Sequence, residues 1–166
     1  MPVINPSRNN SSRPVIGVGV LVWREQQILL GERITKDQNN CWQFPGGHLE
    51  NNESVSDCAR REVQEETGLN IRNLRHLGFT DTPFEIAQHK YLTLLVSCEY
   101  ESGEAERLEP EKCAGWRWFD YQKLPAPLFI PISSFLSQIT IASGNDLYAL
   151  HRASQVLSYT PSGVRK

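Results

Sequence analysis

The sequence predicts a single α/β domain in which helices cover both faces of a mixed central sheet. Three observations favour this fold class. The chain has 166 residues, 39% of them hydrophobic, which is enough for one compact domain with its own core. Short runs rich in β-branched residues recur along the chain, and amphipathic segments of helical period follow several of them. Such a mixture of strands and helices is typical of helix–sheet–helix layers.

The two ends of the chain differ in composition from its middle. We expect residues 1–13 to be a flexible lead-in, because they are rich in Asn, Ser and Pro and have little to bury. Residues 14–157 should form the single domain, and residues 158–166 a flexible C-terminal end. The lead-in lacks the apolar core of a signal peptide, and no apolar run approaches the roughly 20 residues of a membrane span. We therefore expect no membrane partner.

Charge and cysteine usage narrow the partners and the compartment. The formal net charge of -2 at pH 7 provides neither a basic surface for duplex nucleic acid nor a polybasic membrane patch. The cysteines contain no C-x-x-C pair and are typical of reduced thiols packed as small hydrophobes: Cys41, Cys58, Cys98 and Cys113. We expect a cytoplasmic protein.

The first half of the domain begins with strands. Residues 15–23 are dominated by β-branched side chains and predict a buried strand, with residues 27–33 as its hairpin partner. Residues 42–44 form a short strand, which Pro45-Gly46-Gly47 should end by changing the backbone direction. A helix should follow. Further strands are predicted at Leu74 to Thr80, Lys90 to Tyr100 and Gly115 to Phe119.

Helical signals in the second half are weaker. Residues 121–124 fit a helical turn before Pro125 and Pro127. Residues 132–142 have the apolar spacing of a helix that covers the second face of the sheet. Beyond residue 143 the pattern favours one more helix near 147–157.

The strongest functional signal is the acidic run in the helix that follows Gly47. At about 100° per residue, Glu62 and Glu66 fall on the apolar stripe of the helix, and Glu65 borders it. A solvated acidic face therefore does not explain them. Because residues three and four apart are neighbours on a helix, all three carboxylates can converge on one point.

Such a cluster needs a compensating cation. Carboxylates at the edge of a core repel one another and lose hydration, so together they are stable as anions only beside positive charge. Oxygen ligands without His or Cys favour Mg²⁺ or Mn²⁺ over Zn²⁺, and Mg²⁺ commonly shares its coordination with substrate phosphates. Gly46 and Gly47 can bring backbone atoms close to the same ion. The sequence therefore predicts phosphate chemistry.

The fixed spacing of these residues resembles the signature of the Nudix hydrolases. It comprises Gly47, Glu53, Arg61-Glu62-Val63, Glu65-Glu66 and Gly68-Leu69. The resemblance extends over about residues 15–142. It implies an α/β/α sandwich that uses Mg²⁺ or Mn²⁺ to cleave a nucleoside diphosphate linked to another moiety. It also implies that the Gly47 carbonyl, Glu62, Glu65 and Glu66 are metal ligands, and that Arg61 pairs with Glu53 to fix the loop on the helix.

The resemblance leaves the general base open. Metal-assisted hydrolysis requires a carboxylate that receives the proton of the attacking water. In the family this group comes from the signature or from a later loop, so Glu65 and Glu111 are both candidates. The segment Glu109-Pro110-Glu111-Lys112 fits a solvated charged loop equally well.

Other stretches resemble the MutT-related nucleoside triphosphate diphosphatases, most nearly the group of the mammalian Nudix type 15 nucleotide diphosphatase. They are residues 44–50, residues 109–113 and Trp116-x-Trp118. That group releases a monophosphate and pyrophosphate from canonical, oxidised or modified nucleoside triphosphates and is often homodimeric. The resemblance implies phosphate contacts for Arg33 and His48, and base contacts for Gln43, Phe44, Thr93, Phe129 and Ile130.

Plainer interpretations stand beside these roles. Phe44 and Phe129 fit ordinary core positions, and His48 fits a turn residue. Ile130-Pro131 replaces a Trp-Gly pair of the type 15 group, which leaves the base preference open. Pro83, fifteen residues after Gly68, resembles a marker of ADP-ribose or nucleotide-sugar pyrophosphatases. A binding module without catalysis is a further alternative, although such modules typically lose signature carboxylates. RNA decapping ranks last, since no basic stretch with interleaved aromatic residues is present.

Overall fold

The computed structural model describes residues 13–37, 39–81, 90–143 and 146–157. Most of the expected lead-in, the expected C-terminal end and Pro83 lie outside these ranges. Within them the elements follow in the order β1 (Val15–Arg24), β2 (Gln27–Arg33), β3 (Cys41–Gln43), β4 (Gly46–His48), α1 (Val55–Thr67), β5 (Asn70–Thr80), β6 (Tyr91–Ser102), β7 (Cys113–Asp120), α2 (Ile130–Ser143) and α3 (Leu147–Ala153).

The sheet is mixed, as the sequence predicts, and β1 lies at its centre. The strand order is β3-β2-β1-β6-β5, with β4 paired to β1 and β7 paired to β2. β1 runs parallel to β6 along almost its whole length and antiparallel to β4 near its start. The predicted hairpin with β2 is present but short, because only Trp23 and Arg24 of β1 pair with β2. β4 pairs with the same edge of β1 nearer the start of the strand, at Gly17 to Gly19.

Alternation along β1 separates two cores. Val18, Val20 and Val22 pack on the face covered by α1. Leu21 and Trp23 pack on the opposite face, which α2 and α3 cover. The helix–sheet–helix sandwich expected from the sequence is therefore confirmed. No helix in the described ranges has the length and apolar character to cross a membrane.

Helix α1 has well-defined ends. Ser54 caps its N-terminus: the Ser54 hydroxyl accepts from the Asp57 amide at 3.0 Å, and the Asp57 carboxylate accepts from the Ser54 amide at 3.2 Å. Gly68 ends the helix in the left-handed conformation, with φ of 76°. These caps fix the helix in register, and with it the direction in which each glutamate points.

Four local expectations are wrong at the boundaries of the elements. Residues 46–48 form strand β4 rather than only a change of direction. β5 begins at Asn70 instead of Leu74, because a bulge near Asn73, with φ of 51°, breaks the alternation that marks a strand. Residues 121–124 form a turn rather than a helical turn. The predicted helix near 147–157 ends at Ala153.

Buried polar contacts hold α3 against the sheet. The Trp23 indole donates to the Ser97 hydroxyl at 2.9 Å, and Ser97 hydrogen-bonds the ring of His151. Arg75 donates to three carbonyls at the end of α3, including that of Ser154 at 2.7 Å. His151 is only 4% exposed. Burial, and then the charge of Arg75, lower the pKa of His151 to about 4.

This histidine should make stability dependent on pH. The folded protein binds the His151 proton only below about pH 4, whereas the unfolded chain binds it from the ordinary pKa of 6.5. Stability is therefore complete above pH 6.5 and falls as the pH drops towards 4, by up to about 3 kcal/mol. Urea unfolding at pH 7.5 and pH 5 measures this loss.

The matched variants are His151→Gln and His76→Gln. His151→Gln should lower stability at pH 7.5 and flatten the pH dependence, whereas the exposed His76 should leave the dependence as it is in the parent protein. An unchanged pH dependence in His151→Gln would contradict the assignment.

Candidate active site

Two adjoining cavities open where β4 meets the start of β1. The larger has a volume of about 540 Å³ and is lined mainly by charged side chains and glycine backbone. The smaller has a volume of about 170 Å³ and is lined mainly by apolar residues. The two share five lining residues: Arg33, Gln43, Gly46, Gly47 and His48. One elongated ligand can therefore occupy both.

Helix α1 brings Glu62 and Glu66 to the wall of the larger cavity. The Gly46 amide donates to the Glu66 carboxylate at 3.4 Å. A Cβ atom on Gly47 would overlap the Glu62 carboxylate. Glycine at position 47 is thus required for the close approach of the β4 backbone and the helix.

Glu66 lies in an unfavourable position for an anion. Burial, and then the neighbouring Glu62 carboxylate, raise the pKa of Glu66 to about 8. Its backbone carbonyl accepts from the Trp116 indole at 3.2 Å, which joins the end of α1 to β7. The glutamate is therefore held in place although its charge is poorly compensated by protein groups.

Arg61 provides positive charge on the outer side of the Glu62 and Glu66 pair. Its guanidinium donates two hydrogen bonds to Glu53, at 2.9 and 2.7 Å, in the bidentate geometry that Arg favours. It also donates to Glu62 at 2.8 Å and to the His48 carbonyl at 3.2 Å. The hydrogen bonds from Arg61 lower the pKa of Glu53 to about 2. Arg61 thereby joins the loop before α1 to the helix.

The three glutamates do not converge as the helical spacing suggests. The Glu65 carboxylate accepts from Arg61 at 3.3 Å and its side chain is half exposed. It does not line the larger cavity, which receives only Glu62 and Glu66 from the helix. Across the described ranges, no three His, Cys, Asp or Glu side chains come together closely enough to hold a metal ion. The attraction of Arg61 accounts for the direction of Glu65.

The loop before β7 supplies two more carboxylates to the larger cavity, Glu109 and Glu111. Arg107 shapes this loop by donating to the carbonyls of Pro110 and Cys113 at 2.9 and 2.8 Å. Glu109 pairs with Lys112 at 2.9 Å. Glu111 was singled out from the sequence as a candidate in this loop, whereas Glu109 was missed. The negative charge of Glu109 raises the pKa of Glu66 further.

The smaller cavity contains most residues that the resemblance assigned to a base. Arg33 donates to the side-chain amide oxygen of Gln43 at 3.0 Å, and its guanidinium lies 4.7 Å from the centre of the Phe129 ring. Phe44 and Thr93 also line the cavity, although Phe44 is at the same time a core residue. Ile130 is half exposed and does not line it. The lining residues that were not predicted include Gly17, Gly19, Tyr91, Pro131 and Ile132.

Comparison with known proteins identifies relatives of this architecture. The sequence model of the NUDIX domain matches residues 13–138. Over 108 residues the chain is 32% identical to the NAD-capped RNA hydrolase NudC of Vibrio parahaemolyticus. The match covers 64% of this chain and 38% of that protein. The chain thus spans less than half the length of this curated relative.

Solved structures agree with the fold. The MutT NUDIX hydrolase of Burkholderia pseudomallei has a TM-score of 0.69 and 28% identity, and the match covers 78% of this chain and 100% of that one. An ADP-ribose pyrophosphatase of Streptococcus suis has a TM-score of 0.60 and 22% identity, covering 85% and 92%. At this identity the second likeness shows the fold alone.

Replacing Arg61 tests whether its fork of hydrogen bonds holds the site together. Arg61→Lys keeps the charge but cannot bond Glu53 bidentately while also reaching Glu62 and His48, so stability should fall by about 2 kcal/mol. Urea unfolding at neutral pH measures the change.

Arg72→Lys is the control, because Arg72 and Glu99 are 3.9 Å apart and substantially exposed. It should change stability by less than about 0.5 kcal/mol. Equal losses in the two variants would refute the role given to Arg61.

Proposed function

The chain belongs to the Nudix hydrolase family, and we propose that it is a nucleoside triphosphate diphosphatase that depends on Mg²⁺ or Mn²⁺. It would hydrolyse nucleoside triphosphates, including oxidised or modified ones, to a monophosphate and pyrophosphate. One observation carries the proposal: a charged cavity with the Glu62 and Glu66 pair adjoins a mainly apolar slot of about 170 Å³. A nucleotide has the same two parts.

The donor set fits the cation that the family implies. Glu62, Glu66 and the Gly47 carbonyl would hold it, and Glu65 would join them after leaving Arg61. All of these donors are oxygen atoms, which Mg²⁺ and Mn²⁺ prefer. The raised pKa of Glu66 supports the fit, because positive charge beside two crowded carboxylates would relieve their repulsion. When bound, the cation would neutralise the diphosphate and lower the pKa of water.

The chain's own residues would orient the substrate and accept a proton. Arg33, His48 and Lys112 line the larger cavity and could contact phosphate oxygens. For the general base, lining of the cavity favours Glu111 over Glu65. Glu109 lies in the same cavity but is paired with Lys112, so it would rather position the loop.

Other pyrophosphate substrates are the second candidate. NudC is named for hydrolysis of NAD-capped RNA, and its likeness to this chain favours testing NAD as well as ADP-ribose. Both contain a diphosphate between two groups and would suit the same two cavities. A binding module without catalysis is less well supported, since Glu53, Glu62, Glu65 and Glu66 are all present. Cytoplasmic location and a homodimer stay predictions.

A product assay distinguishes these candidates. Canonical and oxidised nucleoside triphosphates, ADP-ribose and NAD are each incubated with Mg²⁺, and the products are resolved. Pyrophosphate from triphosphates supports the diphosphatase. AMP with ribose phosphate from ADP-ribose, or AMP with nicotinamide mononucleotide from NAD, with triphosphates intact, would replace it by the second candidate.

Glu66→Gln should abolish this turnover. The amide keeps the shape of the side chain but removes the negative charge, so kcat should fall by about a thousand-fold or more while the melting temperature is unchanged or higher. Glu101→Gln, an exposed carboxylate outside both cavities, is the matched control and should behave as the parent. Near-normal kcat in Glu66→Gln would overturn the ligand assignment.

A further inference from the structure

The smaller cavity exists because strand β1 lacks side chains where it faces the start of α2. Leu21 and Trp23 fill this face of β1 further along the strand. Gly17 and Gly19 occupy the same face nearer its start, and both line the cavity. The slot therefore lies over the part of β1 that carries no side chains on this face.

The two glycines are not equivalent. A Cβ on Gly19 would lie 3.0 Å from the Leu95 side chain, so core packing already uses that space. A Cβ on Gly17 would meet nothing closer than the Thr93 hydroxyl at 3.8 Å and the Gly47 carbonyl at 4.0 Å. These are ordinary contact distances. A side chain at position 17 would enter the slot and not the core.

The backbone does not require glycine at position 17. Gly17 pairs with His48 of β4 on one side and with Thr93 of β6 on the other, inside regular ladders. It is not among the glycines with positive φ. Glycine inside a strand often marks a bulge, a tight bend, or the close approach of a ligand or another backbone, and the regular ladders exclude a bulge here. The free space in the slot, rather than strain, accounts for this glycine.

We propose that Gly17 is a specificity-determining residue that sets the depth of the slot for the ring of a purine nucleotide. This inference rests on the proposed function. An engineered cavity of about 150 Å³ admits one benzene ring. The slot has a volume of about 170 Å³, so one six-membered ring would fit inside it, and the second ring of a purine would reach the side where Arg33 and Gln43 line both cavities. A side chain at position 17 would make the slot shallower. A single ring is small enough to tolerate this loss of space, whereas a bicyclic ring is not.

The test is a graded series of variants. Gly17→Ala should lower kcat/KM for purine triphosphates by about ten-fold, mainly through KM, and Gly17→Val should lower it further. For pyrimidine triphosphates the fall should be about three-fold or less. In Gly17→Ala, the affinity measured by calorimetry should fall by about ten-fold for GMP and by about three-fold or less for CMP. The melting temperature of this variant should not fall. Ile16→Val, on the opposite face of β1, is the control. It should leave the purine-to-pyrimidine ratio unchanged, both for kcat/KM and for binding affinity.

Two outcomes overturn the inference: equal losses for purines and pyrimidines in Gly17→Ala, or no measurable binding of GMP to the parent protein. Failure of the proposed function is a separate result. If no triphosphate is hydrolysed but GMP binding is lost selectively in Gly17→Ala, the slot assignment stands and the diphosphatase proposal does not.

Discussion

The contact between the Gly46–Gly47 backbone and the glutamate face of α1 is the constraint on which the rest of the site depends. Glycine at both positions lets β4 pair with β1 and lie against the helix at the same time. The helix is held there by Arg61, which bonds Glu53, Glu62 and the His48 carbonyl. The same arrangement buries Glu66 beside Glu62, which raises the pKa of Glu66 and favours its neutral form.

The sheet turns this local contact into a site with two unlike halves. Because β4 pairs with the first part of β1, its glycines lie between the α1 side of the molecule and the α2 side. The charged cavity receives carboxylates from α1 and from the loop before β7. The apolar slot receives Phe129 from the residue just before α2 and Thr93 from β6. Arg33, which lines both cavities, is fixed at their junction by Gln43 and Phe129.

The sequence predicted the parts of this arrangement that are set by local period and spacing. The helical period correctly put Glu62 and Glu66 on the inward face, the β-branched run located β1, and the strand patterns located β2 and β6. Positions set by tertiary contacts were missed. Gly46–His48 becomes a strand because it pairs with Gly17–Gly19 of β1, far back in the chain, and Pro131 and Ile132 line the slot in place of Ile130. Glu65 is a local miss of another kind, because Arg61, one turn earlier in the same helix, bonds its carboxylate, and the helical period does not show which neighbour a side chain at the border of the stripe contacts.

The central claim is that the glycine backbone and the two inward glutamates form one divalent-cation site. Titration of Mn²⁺ into the parent protein and into Gly47→Ala, followed by electron paramagnetic resonance, tests it without any substrate. A methyl group at position 47 would displace the Glu62 carboxylate, so Mn²⁺ affinity should fall by about ten-fold or more while the far-ultraviolet circular dichroism is retained. Equal Mn²⁺ affinity in the two proteins, or no Mn²⁺ binding by the parent, would contradict the account.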